Sequence, residues 1–166
     1  WQIRWGGIRF ADLSLDPLCE LKNCYIRFAD KGVSTYSSSP TIRNSNFNNN
    51  NYGIFLQGAS NPVINNTDFS SNVYYGIKNE DKSFDVNATE CWWGNNNGPI
   101  VTDDEVQNEN EQELITSGVS YIPWKNLGAI NPAMGDVSLN GLIQAYDASL
   151  ILKHTVELIS LNESQQ

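Results

Sequence analysis

The stretch Asp136-Val137-Ser138-Leu139-Asn140-Gly141-Leu142-Ile143-Gln144-Ala145-Tyr146-Asp147 holds the clearest arrangement of hard oxygen donors in this chain. Set against the twelve-residue calcium loop, side-chain oxygens fall at position 1 (Asp136), position 3 (Ser138) and position 5 (Asn140). Gly141 takes the sharp turn at position 6, Leu142 offers its backbone carbonyl at 7, Gln144 stands at 9 and Asp147 closes at 12. Calcium takes six to eight hard oxygens, and alternating ligands with spacers aims them at one centre. Ca2+ is therefore the expected cofactor. Only Asp136 and Asp147 are carboxylates, and fewer charges mean weaker binding. The alternative is a loop of the same shape that holds only water. Asp147 can also cap a following helix with apolar positions Leu150, Ile151, Val156, Leu158 and Ile159. His154, the single histidine, falls on that helix and reads as an ordinary helical residue, since no nucleophile is placed to use it.

Two acids and two tryptophans are the remaining candidates for chemistry. In the repeat described below, Asp68 and Glu90 share an outward column with Tyr25 and Asn46. That column would put the two carboxylates one coil, about 5 Å, apart. Paired carboxylates at about 5–9.5 Å serve glycoside hydrolysis. Two solvated surface acids are the simpler reading, and Lys22 and Arg43 on the neighbouring column read as surface charge. Adjacent Trp92 and Trp93 read first as the cover of a solenoid end and second as a sugar-stacking platform. No catalytic constellation is evident.

These residues are positioned by a repeat. Leu21-Lys22-Asn23-Cys24-Tyr25-Ile26, Ile42-Arg43-Asn44-Ser45-Asn46-Phe47, Ile64-Asn65-Asn66-Thr67-Asp68-Phe69 and Val86-Asn87-Ala88-Thr89-Glu90-Cys91 align with an aliphatic residue first, mostly Asn third and an apolar residue last. A second column, Gly7-Ile8, Gly32-Val33, Gly53-Ile54 and Gly76-Ile77, runs in step and opens short strand-like segments. A period of about 22 residues without a helical stripe is the mark of a β-solenoid, one coil per repeat. Asn tolerates φ > 0 and suits the corner between strands; stacked over coils, its amides can form a ladder.

Composition sets limits. The net charge of −9 is uneven: residues 1–100 carry eight Lys/Arg and nine Asp/Glu, residues 101–166 two and ten. With a sequence pI near 4.4 and no basic stripe, nucleic acid is excluded as a partner. No apolar run is long enough for a membrane span. Cys19, Cys24 and Cys91 are too few and too irregular for a disulfide scaffold or a zinc site, so Cys24 and Cys91 read as small packed residues. The acidic stretch 100–118 reads as a solvated excursion before Val119–Trp124 rejoins the body. Trp1 opens in mid-pattern, which is expected of the middle of a longer solenoid.

The run Asn61-Pro62-Val63-Ile64-Asn65-Asn66-Thr67-Asp68-Phe69 with Asn72 and Tyr75-Gly76-Ile77 resembles the right-handed parallel β-helix repeats of the pectin-lyase-like superfamily. Asp85-Val86-Asn87-Ala88-Thr89-Glu90-Cys91-Trp92-Trp93-Gly94, continuing to Gly98-Pro99, resembles the last coil of secreted bacterial members, and Tyr121-Ile122-Pro123-Trp124 the short strand after it. Gly135-Asp136-Val137 with Asn140-Gly141 and Ala145-Tyr146-Asp147-Ala148-Ser149-Leu150-Ile151-Leu152-Lys153 resembles the first half of a type I dockerin, the module that attaches secreted proteins to cohesin domains. The resemblance implies an all-β, right-handed parallel β-helix with a short C-terminal EF-hand-like loop–helix segment. Its expected parts are coils and cap over 1–126, a linker at 127–134 and a half-dockerin at 135–166. It further implies a secreted or surface-attached protein that associates with polysaccharide and docks on a cohesin through calcium. The alternative is the C-terminal part of a polysaccharide lyase or glycoside hydrolase whose catalytic coils lie upstream.

Overall fold

The computed structural model describes residues 3–126, apart from Leu13 and Leu15. The expected linker, the expected calcium ligands Asp136, Ser138, Asn140, Leu142 and Asp147, and the helix expected to carry His154 lie outside the described residues. Two compact units divide the chain, Trp1–Lys125 and Asn126–Gln166.

The first unit is a parallel β-solenoid. Its first strand is β1 (Ile8–Phe10), and two coils with three strands each follow. One coil holds β2 (Glu20–Lys22), β3 (Tyr25–Arg27) and β4 (Lys31–Tyr36); the next holds β5 (Thr41–Arg43), β6 (Asn46–Asn48) and β7 (Tyr52–Gln57). A third turn contributes β8 (Val63–Asn65) and β9 (Tyr75–Asn79). The end is built from β10 (Val86–Asn87), β11 (Ile100–Val101), β12 (Leu114–Ile115) and β13 (Val119–Ser120). Every pairing is parallel, and the long sheet runs β1-β4-β7-β9-β12-β11. A second sheet runs β2-β5-β8, a third pairs β3 with β6, and β10 pairs β13. The spacing of the two columns requires at least two strand-like segments per repeat, and a full coil has three strands.

Period-two alternation drives each short strand. In β3, β5, β6 and β8 the middle residue (Ile26, Ile42, Phe47, Ile64) is buried and its two neighbours are not. The Gly-Ile column holds as drawn, with Ile8, Val33, Ile54 and Ile77 in register. It continues into Ile115, which no motif had marked. The excursion expected over 100–118 is therefore partly core: Glu113, Leu114, Ile115 and Thr116 are buried, and Ile115 pairs with Ile77.

Asn23, Asn44 and Asn66 turn the corner that follows the first strand of their coils (β2, β5 and β8), with φ of 56°, 51° and 50°. This is the left-handed region, which costs most L-residues about 1–2 kcal/mol and which Asn enters more readily. In the fourth coil the corner is Glu90, φ 56°, not the aligned Ala88. Two extra residues thus displace the remaining columns. Cys91 follows the corner as Cys24, Ser45 and Thr67 do, and each of these four directs its thiol or hydroxyl to the carbonyl two residues back. Trp93, not Cys91, continues the apolar column of Ile26, Phe47 and Phe69. Phe47 stacks on Phe69 at 5.7 Å and Phe69 on Trp93 at 5.0 Å between ring centroids. All three cysteines are free thiols, and burial pushes the Cys91 thiol up to about 12, so it stays protonated.

Asn66→Ala should destabilise the domain by about 1–2 kcal/mol in a denaturant titration, while Asn66→Gly should lose less. Equal losses for both would mean the side chain's bond to Asn44, and not the corner, is what matters.

A ladder does form, but its main line lies inside. Asn66 donates its amide to Asn44 on the expected column. The buried line is Asn50 and Asn72: Asn50 Oδ1 accepts the Ala29 N–H at 3.0 Å, and Asn72 Oδ1 accepts the Asn50 N–H at 3.1 Å. The next rung is a carboxyl, Glu113, whose Oε1 accepts the Asn72 N–H at 2.8 Å.

Candidate functional site

One outward column links four coils. Tyr25 pairs with Asn46 in register, and single bridges continue to Asp68 and then to Trp92. Pairing Asp68 with Glu90 is thereby corrected: the two-residue insertion puts Glu90 in the corner and brings Trp92 beside Asp68. Trp93 is corrected as a sugar platform, because its ring is wholly buried and has no face to offer. Trp93 is the last ring of the interior stack; Tyr121 and Trp124 pack against the same core, and Trp124 donates its ring N–H to the Asn96 carbonyl at 3.0 Å.

Of the four predicted substrate-binding residues, Asp68, Glu90, Trp92 and Trp93, the structure therefore brings Asp68 and Trp92 together. Trp92 is half-buried and Asp68 is fixed at both oxygens. Its Oδ2 accepts the Asn46 amide at 2.9 Å and its Oδ1 the Ser70 N–H at 2.8 Å. At the other end Tyr25 is exposed, accepts the Asn48 amide at 3.1 Å and lies under the Arg27 guanidinium at 5.2 Å. Aromatic rings thus bracket an amide and a carboxylate, with a coil rise of about 4.8 Å between successive positions. Such a strip offers apolar faces and oriented hydrogen-bonding groups along one line, which is what a pyranose chain requires. Among the described residues the strip carries no second acid beside Asp68. On the neighbouring column Arg43 is paired with Glu20, whose carboxyl this bond holds below its ordinary range.

A second cluster, on the long sheet, carries no motif in the sequence. Tyr52, Phe55, Tyr75 and Lys78 come from β7 and β9, where Tyr52 pairs Tyr75 and Phe55 pairs Lys78. Lys31 sits 4.0 Å above the Phe55 ring, and Lys78 lies 5.4 Å from the same ring and 5.6 Å from Tyr52. The acidic segment folds back onto this face. Glu105 accepts from the Tyr52 hydroxyl and pairs with Lys78, and Tyr75 donates to the Asp104 backbone carbonyl at 2.5 Å. Asp103 accepts from the Ser117 N–H (3.0 Å) and hydroxyl (2.8 Å) and pairs with Lys82 at 2.7 Å. Lys78, with Tyr52, holds the Glu105 carboxyl below its usual range, and Lys82, with Ser117, does the same for Asp103. Sequence spacing misses the cluster because its aromatics and lysines belong to different coils and its carboxylate to a loop. The one available signal is Tyr52, Tyr74 and Tyr75 recurring at one coil's spacing.

Fold and faces together define a parallel β-solenoid with aromatic-bearing lateral strips. The chain belongs to the right-handed β-helix family: the family described as "Right handed beta helix region" matches residues 2–127. Comparison with curated proteins and with solved structures finds no match.

Proposed function

We propose that this chain is a secreted, non-catalytic β-helix module that associates with polysaccharide or a cell surface. Residues 135–166 form its dockerin-like element, which takes Ca2+ through Asp136, Ser138, Asn140, Leu142 and Asp147 and attaches to a cohesin-type domain. The observation that carries the polysaccharide part is the column Tyr25–Asn46–Asp68–Trp92, with aromatic rings at both ends of an ordered polar strip. Support also comes from the family, which is common among polysaccharide-active proteins. The calcium part rests on the loop sequence alone.

A two-armed experiment tests the reading. Retention of the intact chain on polysaccharide affinity gels should fall about tenfold for Trp92→Ala, a loss of the size expected for one stacking aromatic. Calorimetric titration with Ca2+ should show saturable binding that Asp136→Ala abolishes. Unchanged retention would remove the strip from the function, and no heat up to millimolar calcium would remove the docking element.

A further inference from the structure

The acidic segment between β11 and β12 is held on the long sheet by contacts unlike those of the coils. Val106, the only aliphatic side chain between Thr102 and Gln112, is exposed, so apolar burial does not seat it. Besides the backbone bond from Asn108 N–H to the Val73 carbonyl at 2.7 Å, the face grips it at three polar points: Asp103 on Ser117 and Lys82, the Asp104 carbonyl on the Tyr75 hydroxyl, and Glu105 on Tyr52 and Lys78. Two of these read side-chain carboxylates and one reads peptide backbone.

The receiving face is built in advance of its occupant. Tyr52, Phe55, Tyr75 and Lys78 are placed by β7 and β9, whose register the core sets. Lys78 is largely shielded, its side chain 17% exposed and surrounded by three aromatic rings. A shielded ammonium needs a carboxylate close by. Lys31, on the same Phe55 ring, has no carboxylate partner among the described residues. The face therefore presents two ammonium groups and one is neutralised. Glu105 and both members of the Asp103–Lys82 pair are themselves about half exposed, and exposed pairs of this kind are weak and salt-screened.

We propose that this face is a binding site for an acidic peptide segment of a partner protein, kept closed by the chain's own Asp103-Asp104-Glu105. The peptide class follows from Tyr75, which engages a backbone carbonyl, and from the spacing of carboxylates that Lys78 and Lys82 accept. Lys31 provides a contact for a further carboxylate that the resident segment does not use. This site lies on a different sheet from the Tyr25–Trp92 strip and does not depend on that strip's role.

The test is fluorescence anisotropy on the full chain with a labelled peptide of the sequence Thr102–Gln107, at low and at physiological ionic strength. Glu105→Ala should open the site and tighten peptide binding about tenfold over the unaltered chain. Glu105→Ala/Lys78→Ala should lose that gain, and Lys31→Ala in the opened chain should weaken binding severalfold. Thermal melts establish that each variant is folded, since all three positions lie outside the interior column. Equal binding by the unaltered and opened chains, or a gain that survives Lys78→Ala, would overturn the proposal. So would polygalacturonate binding the opened chain as tightly as the peptide, which would make the face a reader of charge alone.

Discussion

Glu113→Gln should raise the stability of the domain at pH 9 by several kcal/mol while changing it little at pH 5. Glu113 is wholly buried and takes the rung that an asparagine occupies in the coils before it. Its polar partners are Asn72, through the backbone N–H at 2.8 Å and the side-chain amide at 3.5 Å, and the Ser71 backbone; no lysine or arginine pairs with it among the described residues. Loss of water around the ionised form outweighs these bonds, and burial pushes the carboxyl up from 4.5 to about 8. The nearby Asp68 charge adds to the rise. The sign follows from linkage: the folded chain holds this proton more tightly than the unfolded chain does. The stabilisation is complete below pH 4.5 and is lost as pH climbs through 8. A tenfold difference in proton affinity between the folded and unfolded chain is worth about 1.4 kcal/mol, so the whole window spans several kcal/mol. Glutamine keeps the shape and an acceptor for Asn72 but has nothing to ionise. Melting temperatures across pH 5–9 should fall for the parent relative to the variant, by about 2–4 °C for each kcal/mol. Parallel curves would show that Glu113 remains ionised in the folded protein.

The legibility of this chain is set by what repeats. The Gly-Ile column, the Asn corners and the Ile42–Ile64 column can all be aligned from sequence because a coil imposes the same environment at the same phase. Legibility fails where the phase slips. Two extra residues before Glu90 leave the segment looking aligned, since Val86, Ala88 and Cys91 are still small or apolar, yet they move the core position to Trp93. The result is an acid pair that does not exist in register, and a tryptophan whose place in the interior column the alignment does not reveal. The buried ladder is hidden for another reason. Asn50 and Asn72 sit among many asparagines, and their third rung is a glutamate within an acidic run 41 residues further on. Its acidity points to solvent, whereas the register of Ile115 with Ile77 pulls it inside. The aromatic–lysine face depends on three coils and a loop meeting, and nothing local in the sequence encodes that.

Gly53→Ala should cost about 3 kcal/mol or more, the upper range for forcing an extra group into a packed interior. Gly53 lacks the positive φ that would make glycine necessary on torsional grounds, so only space decides. A Cβ there would lie 2.5 Å from the Gly76 carbonyl oxygen, 3.1 Å from the Phe69 ring and 3.3 Å from the Asn72 amide. Gly32 meets the same three kinds of neighbour one coil earlier, its Cβ 2.6 Å from the Gly53 carbonyl. The contact is thus a property of the stacking, in which each coil's backbone approaches the next across a glycine. Relief would require the coils to separate. The Tyr52–Tyr75 and Ile54–Ile77 register and the Asn50–Asn72 bond hold them at their spacing on either side of the clash. Restricting the unfolded chain returns only about 0.4–1 kcal/mol, which the clash exceeds. Two companions make the test specific. Gly76→Ala meets its nearest atom at 3.1 Å, and Gly6→Ala meets nothing within 4 Å. Denaturant midpoints should therefore rank Gly6→Ala near the parent, Gly76→Ala lower and Gly53→Ala lowest. If Gly53→Ala melts with Gly6→Ala, the coils can slide apart at little cost, and the interior ladder does not fix their spacing.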